Sequence, residues 1–106
     1  MNESQLVHDI MHELGKQGAV YRCNSGSIPL PNGKRFNGMP KGFSDILFVR
    51  SDGIACFIEC KADKGKLSEE QERFIQRMQS LNARAGVARS VAEAMEICGI
   101  GGDKVE

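Results

Sequence analysis

Two neighbouring segments in the middle of the chain are apolar at almost every position, and a short turn joins them. Residues 45–50 and 54–61 are rich in Ile, Leu, Val and Phe, and Ser51-Asp52-Gly53 lies between them. These runs predict two β-strands that pair as an antiparallel hairpin. Because apolar residues occupy both faces of each strand, we expect a sheet that is covered on both sides.

Three segments that begin at capping residues are predicted to form the helices that cover the sheet. These segments run from Asn2 to about Gly15, from Ser68 to about Leu81 and from Ser90 to Cys98. Short strands are predicted at 19–24 and 86–89. Together with the central hairpin they give the element order α-β-β-β-α-β-α, which predicts an α/β fold with a mixed β-sheet flanked by helices.

The length of 106 residues is that of one domain. We assign this domain to residues 1–100 and expect residues 101–106 to form a frayed C-terminal tail. No apolar run approaches the length of a membrane helix, and the polar N-terminus differs from a signal peptide. The expectation is a cytoplasmic protein without a membrane partner.

The register of the central hairpin decides whether two acidic residues share a face. A two-residue Asp-Gly turn would place Asp45 and Glu59 on opposite faces. A three-residue loop, with Gly53 left-handed, pairs Arg50 with Ile54 instead. Asp45 then lies directly across from Glu59, with Cβ atoms about 5 Å apart.

Lys61 shares the face of Glu59, because side chains alternate along a strand. Two close carboxylates repel each other unless a cation lies between them, and their hard oxygens suit Mg²⁺. Bound Mg²⁺ activates a water and neutralises charge on a scissile phosphate, and a lysine adds positive charge or orients that water. The alternative is a solvated aspartate beside an ordinary Glu-x-Lys strand end, since such short patterns are common. The position predicted for Asp45 favours the metal site.

These residues also resemble the signature of a known family. The strings Gly-x-Ser-Asp at 42–45 and Ile-Glu-x-Lys at 58–61 are similar to those of the PD-(D/E)xK nuclease superfamily, and specifically of the small VRR-NUC nucleases of phages and bacteria. Ser44 stands where the superfamily has proline, a residue that shapes the backbone and binds no metal. The resemblance covers roughly residues 3–98. Its further parts are Glu3 in the first helix and the strings at 21–26, 64–71 and 87–90.

The resemblance implies a restriction-endonuclease-like fold and a DNA endonuclease that requires Mg²⁺ or Mn²⁺. In such an enzyme Asp45, Glu59 and the backbone carbonyl of Cys60 hold the metal, Lys61 assists and Glu3 supports the site. Small stand-alone members of the family act as homodimers on branched DNA such as four-way junctions. The resemblance therefore implies these partners here, and the long segment 26–43 is a candidate for crossing to a second copy.

Two of the candidate catalytic residues have a structural alternative. Glu3 lies on the apolar stripe of the first helix, where an acid needs a partner, but it also has the position that stabilises a helix N-terminus. Gln71 lies on the apolar stripe of its own helix, but a capping box with Ser68 would also engage its side chain. The sequence leaves both roles open.

The formal net charge is zero, but basic residues concentrate between positions 21 and 50. This segment has five Lys and Arg against one Asp, a local charge of +4. A nuclease needs an acidic pocket that holds the metal and, beside it, a basic surface that contacts the phosphates. The charges of these two regions can cancel in the net charge. Within the segment, Pro31-Asn32-Gly33 predicts the turn of a small hairpin. The candidate nucleic-acid-binding residues are Arg22, Asn24, Lys34, Arg35, Lys41, Lys64 and Lys66, of which the last two equally suit a solvated loop.

Cysteines and histidines suggest a weaker alternative. The four cysteines form no Cys-x-x-Cys pair, so we expect reduced thiols in the core. His8 and His12 have helical spacing but lie off the apolar stripe, where solvent exposure is expected. A zinc-stabilised interaction domain is therefore a poor alternative. The stronger alternative to a nuclease is a nucleic-acid-binding module that keeps the nuclease fold without significant turnover.

Overall fold

The structure is a computed structural model that describes residues 2–25 and 27–101. Except for Gly101, the predicted C-terminal tail lies outside the described residues. The helices are α1 (Glu3–Leu14), α2 (Glu69–Ser80) and α3 (Val91–Cys98). The strands are β1 (Gly18–Arg22), β2 (Ser27–Pro29), β3 (Arg35–Asn37), β4 (Ile46–Arg50), β5 (Ala55–Cys60) and β6 (Arg84–Ala88).

The central sheet has the strand order β1-β4-β5-β6 and is mixed, as predicted. β1, β4 and β5 pair antiparallel, whereas β5 and β6 are parallel and are connected through α2. The residues of α1 and α3 pack on one sheet face, and α2 covers the other. The predicted order of elements is confirmed, with the short β2–β3 hairpin added to it. No helix of the described ranges has the combination of length and apolarity needed to span a membrane.

The three-residue loop between β4 and β5 is confirmed. Ile46 lies opposite Ile58, and the N–H of Arg50 donates to the carbonyl of Ile54 at 2.9 Å. Gly53 has a φ of +89°, which glycine adopts without the steric cost that a side chain brings. The loop therefore sets the register that places Asp45 across from Glu59.

One face of this hairpin forms the main core with α1 and α3. Its side chains are fully buried and belong to Ile46, Phe48, Cys56, Ile58 and Cys60. The four cysteines are free thiols; Cys56, Cys60 and Cys98 are buried as expected, whereas Cys23 is only partly buried. No group of three or more His, Cys, Asp and Glu side chains within the described residues is arranged to hold a metal ion. The zinc alternative therefore has no support from the described part of the chain.

The helix starts follow the predicted caps. The side chains of Asn2, Ser68 and Ser90 each accept a backbone N–H in the first turn of α1, α2 and α3. Leu81, the predicted end of α2, is 55% exposed despite its apolar side chain. The reason is local, because α2 ends at Ser80 and Leu81 has left the helical conformation.

The predicted small hairpin is also present. β2 and β3 pair with Ile28 opposite Phe36, and both side chains are exposed. The N–H of Met39 donates to the carbonyl of Asn24 at 2.7 Å, which connects the base of this hairpin to the end of β1. The hairpin thus extends from the edge of the central sheet where Asp45 and Glu59 lie.

Candidate active site

The candidate site lies at one edge of the central sheet, where β4 begins and β1, β5 and β6 end. Asp45 immediately precedes β4, and Glu59 and Lys61 lie at the end of β5. Chain direction also brings the N-terminal ends of α1, α2 and α3 to this edge. Helix N-termini carry partial positive charge, so the edge favours an anionic ligand.

Asp45 is held on both carboxylate oxygens. Its Oδ2 accepts the backbone N–H of Cys60 at 2.8 Å, and its Oδ1 lies 3.4 Å from Nη1 of Arg22. Its backbone carbonyl accepts the N–H of Cys23 at 2.7 Å, which continues the pairing of β1 with β4. Asp45 is therefore fixed at the edge by strands on both sides.

The residues before Asp45 explain its backbone path. Ser44, the residue at the proline position of the superfamily signature, is buried and donates its hydroxyl to the carbonyl of Ile46 at 3.1 Å. Gly42 has a φ of +91°, and a Cβ there would lie 2.7 Å from the backbone oxygen of Glu70. Only glycine allows the backbone to come this close to α2. Packing against that helix therefore sets the path of the chain that leads into Asp45.

Glu59 is almost fully buried, with 3% of its surface exposed. Its Oε2 accepts Nε2 of Gln71 at 2.8 Å and lies 3.9 Å from Nζ of Lys61. Its Oε1 is buried and has no hydrogen-bond partner among the described residues. A buried oxygen without a partner costs free energy, and such atoms in folded proteins often mark a functional site.

Gln71 contacts both the cap of α2 and Glu59. Its Oε1 accepts the N–H of Ser68 at 2.8 Å and completes the capping box of α2. Its Nε2 is the donor to Glu59. The capping box therefore holds the amide in the orientation in which it contacts the buried carboxylate.

The electrostatics of the site favour a protonated Glu59. Burial and the adjacent Asp45 carboxylate raise the pKa of Glu59 from the ordinary value of 4.5 to about 8, while Lys61 lowers it and Glu3 raises it. Burial, with the charges of Asp45 and Glu59, also raises the pKa of the Cys60 thiol to about 12. That thiol is therefore neutral and points into the core, away from the acidic pair.

Glu3 is exposed, so the expectation that it faces inward was wrong. It is the first residue of α1, and burial in this helix begins only at Leu6. Its charge nevertheless contributes to the raised pKa of both Glu59 and Cys60. Glu3 thus lies near the site as a solvent-facing charge.

The basic residues of segment 21–50 divide into separate groups. Arg22 faces Asp45, and Lys41 lies 3.6 Å from Glu70 on α2. Arg50 lies at the far end of β4, where it pairs with Asp52 and donates to the carbonyl of Cys98. The local charge of +4 is therefore not one continuous patch.

The other candidate nucleic-acid contacts lie on loops and on the small hairpin. Lys34 and Arg35 are exposed on the hairpin, and Lys64 and Lys66 are exposed on the loop after β5. Asn24 is exposed just beyond the end of β1. Sequence reasoning treated Arg22 as a member of this group and missed its contact with Asp45. No signal in the sequence indicates this contact, because it depends on the pairing of β1 with β4.

A mixed sheet flanked by helices, with Asp45, Glu59 and Lys61 at one edge, defines a restriction-endonuclease-like domain of the PD-(D/E)xK superfamily. The sequence profile of the VRR-NUC domain matches residues 2–92. The chain belongs to the VRR-NUC family, and its fold is of the nuclease type.

The structural comparison agrees with this assignment. A solved structure described as a VRR_NUC domain is 20% identical, and the match covers 92% of this chain and 94% of that chain with a TM-score of 0.65. At this identity the likeness establishes the fold. No curated protein matches the sequence.

Proposed function

We propose that the chain is a Mg²⁺- or Mn²⁺-dependent DNA endonuclease whose active site contains Asp45, Glu59 and Lys61. The observation that carries the proposal is the buried Glu59, which has one oxygen without a partner and lies opposite a second carboxylate. A module that only binds nucleic acid gains nothing from such a group, because burying it costs free energy. An enzyme gains a cation ligand, so the structure favours the enzyme over the binding module.

The residues present fit a divalent cation. Glu59 Oε1 and the carboxylate of Asp45 are hard oxygen donors, which Mg²⁺ and Mn²⁺ prefer. We assign the Cys60 carbonyl as a further ligand and Glu3 as a supporting charge. When bound there, the cation activates water and neutralises charge on the scissile phosphate.

The protein side chains position and charge this site. Gln71 holds Glu59 through Oε2 and leaves Oε1 free to bind. Lys61 has a side chain that is only 15% exposed, so its charge acts in a poorly solvated place on a bound phosphate or an attacking water. Arg22 is half-exposed beside Asp45, where its guanidinium is available to a phosphate oxygen.

The experiment that tests the proposal is incubation with a panel of flap, single-stranded, duplex and four-way DNA in Mn²⁺, with EDTA as the control. Cleavage that depends on the metal supports the proposal. DNA binding without cleavage of any substrate would contradict the nuclease and support the alternative, a module that only binds nucleic acid.

The raised pKa of Glu59 predicts how pH acts on the metal-free protein. The folded-state pKa of about 8 exceeds the ordinary value of 4.5, so the proton on Glu59 stabilises the fold below that ordinary value. This contribution is lost as the pH rises through about 8. In EDTA we expect the melting temperature of the wild type to fall across this window, and that of Glu59→Gln to fall less. Equal slopes for the two proteins would contradict the assignment.

The proposed basic track includes Lys34 and Arg35 on the hairpin and Lys41 beside it. Neutralising all three is expected to weaken DNA binding and to flatten its salt dependence by roughly one log–log unit for each phosphate that is no longer neutralised. Affinity for Mn²⁺ should not change, since these side chains do not contact Asp45 or Glu59. Lys16→Ala, at the opposite edge of the sheet, is the matched control. An unchanged salt dependence of DNA binding would contradict this assignment and would place the phosphate contacts on Lys64 and Lys66 instead.

We propose further that the working unit is a homodimer that acts on branched DNA, such as four-way junctions. Resolving a junction requires cuts in two strands, and a two-fold dimer supplies two sites from one gene. The exposed apolar residues of the segment between positions 26 and 43 are candidates for contact with a second copy, namely Ile28, Leu30, Phe36 and Met39. Light scattering at micromolar protein is expected to report about twice the chain mass of 11.6 kDa. A monomer that still cuts junctions symmetrically would contradict the dimer.

A further inference from the structure

A cavity of about 350 Å³ lies between the end of β1 and the base of the β2–β3 hairpin. Its lining residues are Arg22, Cys23, Asn24, Phe36, Asn37, Gly38 and Met39. One wall is residues 22–24 and the other is residues 36–39, and the hydrogen bond from Met39 to Asn24 joins them. Apart from Arg22, no residue assigned above to the active site lines this cavity.

The cavity is continuous with the candidate active site through Arg22. Arg22 lines the cavity, and its Nη1 reaches Asp45 Oδ1 at 3.4 Å and the Asp45 carbonyl at 3.1 Å. A guanidinium has further N–H donors, which suit a phosphate oxygen. A ligand that fills the cavity therefore lies directly beside the proposed site of cleavage.

The lining has the chemistry that recognises a nucleobase. Phe36 is 54% exposed, and an aromatic face of this kind stacks on bases of any sequence. Asn24 and Asn37 are exposed and line the cavity, so their amides are available to a base edge. Arg22 supplies the positive charge for the adjoining phosphate. An aromatic side chain, two amide side chains and a cationic side chain thus line the same cavity.

We propose that this cavity binds one unpaired nucleotide of the cut strand, next to the scissile phosphate, with its base stacked on Phe36. Its volume of about 350 Å³ is near the lower end of the range for ligand sites, which suits one nucleotide. The inference rests on the proposed nuclease function and narrows its substrate. The preferred DNA has an unpaired nucleotide at the cut, as at a flap or an open junction, in contrast to continuous duplex.

Binding in EDTA tests the subsite without cleavage. The probe is a fluorescent flap DNA in which each unpaired nucleotide near the branch is replaced in turn by an abasic analogue. For the wild type, one of these replacements should weaken binding about tenfold, on the scale of removing one stack between base and aromatic ring. Phe36→Leu should weaken binding of the intact flap by a similar factor, show little further loss with that abasic analogue, and bind continuous duplex as the wild type does.

The controls separate stacking in the cavity from other effects. Phe36→Tyr keeps an aromatic face and should retain the wild-type preference. Tyr21→Leu removes an equally exposed aromatic ring outside the cavity and should leave the preference unchanged. Additive losses from Phe36→Leu and the abasic analogue would overturn the subsite, as would an equal loss with Tyr21→Leu or a change of mass in light scattering with Phe36→Leu.

The failure of the subsite is distinguishable from failure of the proposed nuclease. If Phe36 and the base are coupled but no DNA is cut in Mn²⁺, the subsite stands as part of a binding module. If DNA is cut but Phe36 and the base are uncoupled, the nuclease stands and the subsite is wrong.

Discussion

Asp45→Asn is expected to abolish metal-dependent DNA cleavage while the protein remains folded. The substitution removes the carboxylate that lies across from Glu59 but keeps an oxygen that accepts the N–H of Cys60. An amide oxygen carries no charge, so affinity for a divalent cation falls. Glu59→Gln is expected to have the same effect on cleavage, because it neutralises the buried partner. The measurement is initial cleavage rate in Mn²⁺ on the best substrate of the panel.

The melting temperature supplies the second readout for these variants. In EDTA above pH 8, where Glu59 ionises, both should melt at or above the wild-type temperature, because either substitution relieves the repulsion between the two carboxylates. Asp9→Asn, an aspartate on α1 that contacts Gln5, is the matched control and should cut at the wild-type rate. Full activity in Asp45→Asn would refute the site assignment. A large fall in its melting temperature would mean that Asp45 is structural.

Lys61→Ala is expected to lower the cleavage rate by about two or more orders of magnitude, the scale of removing one electrostatic interaction from a transition state. The side chain is mostly buried and lies 3.9 Å from Glu59 Oε2, so solvent screens its charge little. Single-turnover rates with saturating Mn²⁺ measure this effect.

Two further variants define what Lys61 does. Lys61→Arg keeps the charge and should retain more activity than Lys61→Ala. Lys16→Ala removes an exposed lysine at the far edge of the sheet and should have no effect. A Lys61→Ala rate within a few-fold of the wild type would show that the charge of Lys61 is not used in the reaction.

The parts of the fold predicted well from the sequence are those that local chemistry decides. The glycine at position 53 selects the loop, the loop selects the register, and the register places Asp45 opposite Glu59. The caps at Ser68 and Ser90 fix where α2 and α3 begin, because each side-chain oxygen accepts a backbone N–H of the first turn that has no partner within the helix. These features depend on residues a few positions apart.

The features that were missed depend on contacts between distant segments. Arg22 and Asp45 are brought together by the pairing of β1 with β4, which no local pattern specifies. Glu3 has the periodicity of a buried position, but α1 extends past the core at that end, so the side chain is exposed. The cavity at Phe36 requires the hairpin base to lie against the end of β1. Periodicity alone carries none of this information.

Calorimetric titration of the apoprotein with Mn²⁺ at pH 8 is the sharpest test of the proposed metal site, because it measures the cation at the acidic pair without DNA. The wild type is expected to bind Mn²⁺ with release of roughly half a proton per site, because Glu59, whose pKa is about 8, is about half protonated at this pH. Asp45→Asn and Glu59→Gln are each expected to lose this binding, and Asp9→Asn to keep it. Wild-type heat of binding in Asp45→Asn and Glu59→Gln would refute the metal site, because the cation would then be held elsewhere.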